Sequence, residues 1–194
     1  INLIPQMKKI LLLILATAAL CACKPIVQSQ SESSEDQKTS LVAYFSATGT
    51  TEAVAQLLAQ AANADLIEIE PKTPYSDADL DWRDSLSRSS VEMRDPASRP
   101  ELKSEPTDLS HYDVVFVGFP IWWGVAPHVV NSFIEAADLK GKTIIPFATS
   151  GGSKIEPATE ALRTAYPSLD IAEGRLLNDI TFEDLSSWIE ELSE

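Results

Sequence analysis

From Leu41 onward, short apolar runs alternate with amphipathic segments, and this alternation limits the folds open to the chain more than any other feature. The apolar runs have the length of strands, and the segments between them follow the period of a helix. Such alternation indicates stacked βαβ units and a mostly parallel sheet covered by helices on both faces. We predict strands at residues 41–45, 64–70, 114–119, 143–148 and about 170–177, and helices near residues 50–62, 127–137, 155–165 and 181–192.

The polarity of the strands predicts their order in the sheet. Residues 41–45 and 114–119 are continuously apolar, as expected of central strands that are buried on both faces. Residues 67–70 alternate apolar and acidic side chains, and charges interrupt residues 171–175, so both segments belong at edges. The expected fold class is therefore α/β, a three-layer doubly wound sheet of five parallel strands in the order 2-1-3-4-5.

Pro146 conflicts with an interior position for the fourth strand, because proline has no N–H to donate to a neighbouring strand. We therefore expect either a bulge at this residue or a strand that pairs fully on one side alone.

The first residues resemble an export signal. Met7 is the expected start, and two lysines, an apolar run at residues 10–20 and two cysteines follow it. The run is too short for a stable membrane anchor. Because a small residue immediately precedes Cys23, whereas a bulky one precedes Cys21, the pattern resembles a bacterial lipoprotein signal with lipid on Cys23. The alternative is an ordinary cleaved signal with incidental cysteines.

Three parts of the chain follow from this interpretation: a signal at residues 1–22, a tether at residues 23–39 and one domain at residues 40–194. The tether is rich in Ser, Gln, Glu and Lys and has too little apolar surface to fold. A flexible chain of its length reaches on the order of 20 Å. We therefore expect an exported bacterial cell-envelope lipoprotein whose domain lies outside the cytoplasmic membrane and whose attachment to a membrane is through lipid only.

Charge and composition exclude several classes of function. The chain carries 29 acidic and 15 basic residues, a net charge of −14. Nucleic acid is therefore not an expected partner, because its binding depends on Lys and Arg neutralising phosphates. Two distant histidines, His111 and His128, with no cysteine after Cys23, predict no metal site. Catalysis by a serine hydrolase is also not expected, since no G-x-S-x-G elbow occurs.

A hydroxyl-rich turn, which we call the hydroxyl loop, joins the first strand to the first helix. It comprises Ser46, Ala47, Thr48, Gly49, Thr50 and Thr51. Hydroxyls and the first N–H groups of a helix make a site for a phosphate. The loop has neither the lysine of a nucleotide triphosphatase loop nor a dinucleotide-binding G-x-G-x-x-G, so one terminal phosphate monoester is the expected guest. The alternative is a helix cap without a ligand.

Two further loops should meet the hydroxyl loop, because parallel strands end at one edge of the sheet. The tryptophan loop comprises Pro120, Ile121, Trp122, Trp123 and Gly124, and the glycine loop comprises Thr149, Ser150, Gly151 and Gly152. Adjacent aromatic side chains favour a planar ring, and glycines let backbone N–H groups approach its polar edge. The alternatives are one tryptophan that caps the core beside one that meets solvent or a partner, and a plain turn after the fourth strand.

With these three loops, the sequence from about Leu41 to Leu192 resembles flavodoxin and its relatives. Ser46-x-Thr48-Gly49-x-Thr51 is similar to the phosphate loop of that family, and the other two loops are similar to its isoalloxazine loops. The resemblance implies FMN, with its phosphate on the hydroxyl loop and its ring against Trp122 and Trp123. It also implies a backbone carbonyl at Gly124 that turns toward the reduced ring.

Two departures from the flavodoxin pattern leave the function open. Val125 stands where small flavodoxins often have an acidic residue, and residues 71–110, here the long connection, are more than the fold needs. We expect part of this connection, around residues 78–92, to be helical, and the connection to be either a flap over the flavin or a solvated surface. The hypotheses are an electron-transfer protein with a redox protein or small-molecule partner, an FMN-dependent NAD(P)H or quinone/nitroaromatic oxidoreductase, and a non-redox lipoprotein binding domain.

Overall fold

The computed structural model describes residues 40–106 and 108–193, so the expected signal, the lipidated Cys23 and the tether lie outside the described residues. In chain order the elements are β1 Ser40–Tyr44, α1 Thr50–Ala61, β2 Asp65–Glu68, α2 Arg88–Arg94, β3 Val114–Pro120, α3 His128–Ala136, β4 Thr143–Thr149, α4 Glu156–Ala165, β5 Asp170–Ile171, β6 Arg175–Leu176 and α5 Phe182–Leu192. Within the described residues, no helix combines the length and the apolar character needed to cross a bilayer.

The strands form one parallel sheet in the order β2-β1-β3-β4-β5, with β6 also paired to β4. This arrangement confirms the predicted fold class and strand order. The predicted fifth strand is wrong in one respect, because it consists of two short strands, β5 and β6, and residues 172–174 between them belong to neither strand.

Pro146 explains the break between β5 and β6. It pairs with β3 in an unbroken register. On the other side of β4, the carbonyl of Ile144 accepts the N–H of Ala172 at 2.8 Å. Further along, the carbonyl of Ala148 accepts the N–H of Leu177 at 2.8 Å. Backbone polar groups alternate sides along a strand, so the nitrogen of Pro146 faces the gap, and β4 pairs fully on one side alone, as the second alternative predicted.

Each face of the sheet packs against its own helices, which gives the predicted three layers. One core joins residues such as Val115, Val117 and Phe119 of β3 to α3 and α4. The other joins Phe116 of β3 and Phe147 of β4 to α1 and α5. Both faces of β1, β3 and β4 are therefore buried, and this is the physical reason for their unbroken apolar sequences.

Part of the long connection is helical, as expected around residues 78–92, but the bounds differ, because α2 covers only Arg88–Arg94. Short acidic side chains compete for the backbone in the first part of this segment. The carboxylate of Asp81 accepts the N–H of Arg83 at 3.0 Å, and that of Asp84 accepts the N–H of Leu86 at 2.8 Å. These interactions form turns, and α2 begins only after Ser87, whose hydroxyl caps it.

The long connection leaves and returns at the carboxyl end of β2. Pro71 and Leu102 form an isolated antiparallel bridge. Beside it, the N–H of Lys103 donates to the carbonyl of Glu70 at 2.9 Å. The residues between are thereby held at the sheet edge where the predicted ligand loops lie.

Gly118 of β3 leaves room for the ring of Phe147 in the core between the sheet and α1, because an added Cβ at this position would overlap that ring. We predict that Gly118→Ala lowers the free energy of unfolding by about 1–3 kcal/mol through overpacking, measured by urea denaturation. The double variant Gly118→Ala with Phe147→Leu should recover part of the loss. Gly151→Ala is the control, since its added Cβ meets no atom within 4 Å; equal losses in Gly118→Ala and this control would contradict the packing account.

Candidate functional site

The hydroxyl loop brings polar donors to the start of α1. Gly49 is the N-cap with a φ of 84°, and no side chain caps the helix. Its left-handed backbone favours glycine, and no atom lies within 4 Å of a built Cβ. Thr48 and Thr50 are exposed, with their hydroxyl oxygens 3.4 Å apart. Uncapped N–H groups, the helix dipole and these hydroxyls together form an arrangement that suits an anion.

The tryptophan loop is a tight two-residue turn. Trp122 and Val125 exchange both backbone hydrogen bonds, each at 3.0 Å. The central residues, Trp123 and Gly124, have φ values of 49° and 87°, as a type I′ turn requires. A tryptophan in this left-handed region is strained, and strain of this kind clusters at functional sites. Trp123 is 53% exposed, whereas Trp122 is half-buried and packs against the core.

Thr149, at the end of β4, connects the three loops. Its hydroxyl lies 2.8 Å from that of Thr51, and both side chains are buried. Its carbonyl accepts the N–H of Ile121 at 3.0 Å. Thr149 therefore holds the hydroxyl loop and the tryptophan loop in place from the start of the glycine loop.

The glycine loop satisfies much of its own backbone. The hydroxyl of Ser150 accepts the N–H groups of Gly152 and Ser153 at 3.1 and 2.7 Å. Asn178, two residues after β6, closes the loop, since its side chain accepts the N–H of Ser150 at 2.9 Å and donates to the carbonyl of Ser150 at 2.6 Å. Sequence analysis missed Asn178, because nothing local distinguishes it from a surface asparagine.

A cavity of about 380 Å³ lies where the hydroxyl loop and the tryptophan loop meet. Its lining includes eight of the predicted residues: Ser46, Ala47, Thr48, Thr51, Pro120, Ile121, Trp122 and Trp123. The other predicted residues lie outside the lining: Gly49, Thr50, Gly124, Thr149, Ser150, Gly151 and Gly152. Among the described residues of this lining, none is charged.

The long connection supplies three lining residues that sequence analysis did not predict, namely Leu80, Trp82 and Ser89. Trp82 is 65% exposed, and the guanidinium of Arg83 lies 4.7 Å from its ring centre. Ser89 is buried. A lone tryptophan within a polar stretch was the one signal in the sequence for this wall of the cavity.

Tyr75, also from the long connection, packs beneath the tryptophan loop. Its ring meets those of Phe45 and Trp122 edge-on, with centroids 5.7 and 5.3 Å away. Burial, and then a hydrogen bond donated to the Glu92 carboxylate, raise the pKa of Tyr75 well above its usual value. The hydroxyl therefore stays protonated and continues to donate to Glu92 at physiological pH.

Acidic groups lie beside the hydroxyl loop. Burial, and then the charges of Glu70 and Glu52, raise the pKa of Glu68. Burial and the same three carboxylates raise the pKa of Tyr44 to about 12. Because Glu52 is in the first turn of α1, carboxylates as well as hydroxyl donors flank this loop.

A sequence profile described as flavodoxin matches residues 39–192, which is most of the chain. The chain belongs to the flavodoxin family. No curated protein matches the sequence at a significant level.

Solved structures agree with this flavodoxin-family membership. The chain is 52% identical to a protein assigned as a flavoprotein from Bacteroides uniformis ATCC 8492, with a TM-score of 0.77, over 79% of this chain and 98% of that chain. It is 51% identical to another from Bacteroides eggerthii DSM 20697, with a TM-score of 0.78, over 80% and 98% of the two chains. A flavoprotein in complex with FMN from Lactobacillus acidophilus NCFM shares the fold, at 18% identity and a TM-score of 0.62 over 81% and 99%.

Thr149→Val tests the connection between the loops of this flavodoxin-family site. The substitution keeps the shape but leaves the buried hydroxyl of Thr51 without its partner, which should cost about 1–3 kcal/mol of unfolding free energy. Thr143→Val, at the other end of β4, is the control, because its hydroxyl bonds Asp170 at an exposed position. Chemical denaturation measures both variants, and a loss at Thr149 no larger than the loss at Thr143 would contradict the role of Thr149.

Proposed function

We propose that this flavodoxin-family domain binds FMN and transfers electrons between redox partners. The observation that carries the proposal is one cavity that is lined both by the hydroxyl loop, at the uncapped start of α1, and by the strained tryptophan turn. The similar fold of a protein solved in complex with FMN supports the choice of flavin. FMN, when bound, would supply the redox chemistry, while the protein supplies position and electrostatics.

The residues present suit the phosphate of FMN. Thr48, Thr50 and Ser46 offer hydroxyl donors, and the first N–H groups of α1 receive no side-chain cap. The hydroxyl loop contains no lysine, so a monophosphate fits better than a triphosphate. These donors would fix the phosphate end and leave the rest of the cavity to the ring.

The walls of the cavity suit a flat aromatic ring. Trp122, Trp123 and Ile121 offer apolar and aromatic surface, which favours a ring system through area burial and aromatic contact. Gly124 and the glycines at 151 and 152 lie outside the cavity lining and leave backbone groups close to solvent. The carboxylates beside the hydroxyl loop would disfavour added negative charge on the ring and lower the reduction potential of the flavin.

Thr48→Val tests the phosphate position. It removes a charge-assisted donor that contributes about 1.5–3 kcal/mol, so the dissociation constant for FMN should rise at least tenfold in a fluorescence-quenching titration. Thr164→Val, on the exposed surface of α4, is the control and should bind FMN as the unchanged protein does. Unaltered affinity in Thr48→Val would mean that the phosphate does not lie on this loop.

A second candidate function is an FMN-dependent oxidoreductase that takes electrons from NAD(P)H and passes them to a quinone or nitroaromatic. The exposed ring of Trp82 at the cavity favours this alternative, because a wall from the long connection is more than an electron carrier needs. Both functions use the same cofactor, so kinetics must separate them.

We predict that anaerobic NADPH, mixed with the FMN-loaded protein, bleaches the flavin absorbance only slowly, as expected of an electron carrier. Stopped-flow absorbance measures the rate, with the FMN-loaded Trp82→Ala variant as the comparison. Rapid bleaching that Trp82→Ala slows would contradict the carrier and establish the reductase.

We also propose that the domain is exported and anchored by lipid on Cys23. The lysines, apolar run and cysteine of residues 8–23 support this localisation. We predict that Cys23→Ser moves the protein from the membrane fraction to the soluble fraction and removes the lipid mass from the mature chain, whereas Cys21→Ser leaves both unchanged. Fractionation and intact mass spectrometry in a bacterial host measure this; an unmodified mature wild-type chain would indicate an ordinary cleaved signal.

A further inference from the structure

A partly buried polar triad, Tyr75, Arg88 and Glu92, lies behind the cavity. The Arg88 Nε donates to the Glu92 Oε1 at 2.6 Å, and the two side chains are only 24% and 16% exposed. The Tyr75 hydroxyl donates to the other carboxylate oxygen. Arg88 also donates to the carbonyl of Thr73 at 2.7 Å. We call these three residues the Tyr75 triad; each of its polar groups has a partner, which fixes the geometry of the tyrosine ring.

The fixed tyrosine ring in turn contacts the tryptophan loop. The guanidinium of Arg88 lies 4.0 Å from the Tyr75 ring centre on one side. The same ring meets Trp122 edge-on, at 5.3 Å between centroids and 89° between planes. Phe45 completes the cluster, 5.6 Å from Trp122 at 86°. Aromatic pairs of this geometry add a directional preference to their burial, so the position of Trp122 follows that of Tyr75.

The triad also places a second wall of the cavity. Arg88 and Glu92 belong to α2, and Ser89 of the same helix lines the cavity. The N–H of Ser89 donates to the carbonyl of Asp79 at 3.0 Å, which joins the helix to the turn that carries Leu80. Fixing α2 against Tyr75 therefore sets the distance between the wall of the long connection and the tryptophan loop.

We propose that Tyr75, Arg88 and Glu92 are positioning residues for the aromatic ligand of this cavity. They touch no ligand themselves, and they act by holding Trp122 and Ser89 at a spacing that admits a flat ring. The proposal rests on the proposed function for the identity of the ring, FMN, but not for the coupling of the triad to Trp122.

The chain contains a matched control for this triad. Glu135 lies on α3, Tyr166 caps the end of α4 and Arg99 belongs to the long connection. The Tyr166 hydroxyl donates to the Glu135 Oε1 at 2.9 Å, and the Arg99 Nε donates to the same oxygen at 2.7 Å. This second Tyr-Glu-Arg group has the same chemistry, but among the described residues Tyr166 forms no aromatic pair with a tryptophan of the cavity, whereas Tyr75 does. Substitutions there report the general cost of losing such a group.

The experiment compares Tyr75→Phe and Glu92→Gln with Tyr166→Phe and Glu135→Gln in the full chain. Each variant is measured for FMN dissociation constant, for near-ultraviolet circular dichroism without FMN and for unfolding free energy. We expect the first two to bind FMN about tenfold more weakly, the scale of one lost hydrogen bond to a charged group, and to lose part of the tryptophan circular dichroism. The two controls should change neither readout, whatever they cost in stability.

The outcomes separate the two proposals. If the wild-type protein does not bind FMN, the proposed function fails, and the circular dichroism of the FMN-free variants still decides whether the triad positions Trp122. If the wild type binds FMN and both pairs of variants behave alike in affinity and circular dichroism, the positioning role is overturned. The double variant Tyr75→Phe with Glu92→Gln should bind FMN no more weakly than the single variant with the larger loss of affinity. Additive losses of affinity would contradict a single coupled group.

Discussion

The hydrogen bond between the hydroxyls of Thr51 and Thr149 is the contact on which the candidate site depends. It lies at the buried end of β4, where the start of α1 and the tryptophan loop come within reach of one residue. A buried hydroxyl without a partner is costly, so each threonine holds the other in place. The parallel sheet brings the loops to one edge. The two threonines then fix the position of the hydroxyl loop relative to the tryptophan loop, which determines whether one ligand can contact both loops.

The rest of the cavity is built from segments that oppose local preference. Trp123 occupies a left-handed backbone region with an exposed ring, at a cost that a simple turn would avoid. Only a short part of the long connection is helical, and Trp82 lies in a turn at the cavity. Tyr75, held by a partly buried carboxylate and guanidinium, supports the ring of Trp122 from behind. Strain at the surface and rigidity beneath it are the combination expected where a protein presents an aromatic wall to a ligand.

How far the sequence predicts this structure depends on the range of the interactions involved. The strand order could be predicted from polarity, because strands that are buried on both faces, such as β1 and β3, have almost continuously apolar sequences. The one-sided pairing at Pro146 followed from a missing donor. The helix expected around residues 78–92 begins only at Arg88, because the side chains of Asp81 and Asp84 form turns that hydrophobic periodicity does not predict. Ser89 and Asn178 were missed, since only the tertiary fold brings them to the ligand loops.

The central claim is that the cavity between the hydroxyl loop and the tryptophan loop holds a flavin. The visible absorption spectrum of the purified domain, recorded before and after addition of FMN and removal of the excess, tests it most directly. We predict a yellow protein whose flavin bands shift on binding, at one flavin per chain, and whose thermal unfolding moves to higher temperature with FMN. A colourless protein that retains no FMN and unfolds at the same temperature with and without it would contradict the account and favour a non-redox binding domain.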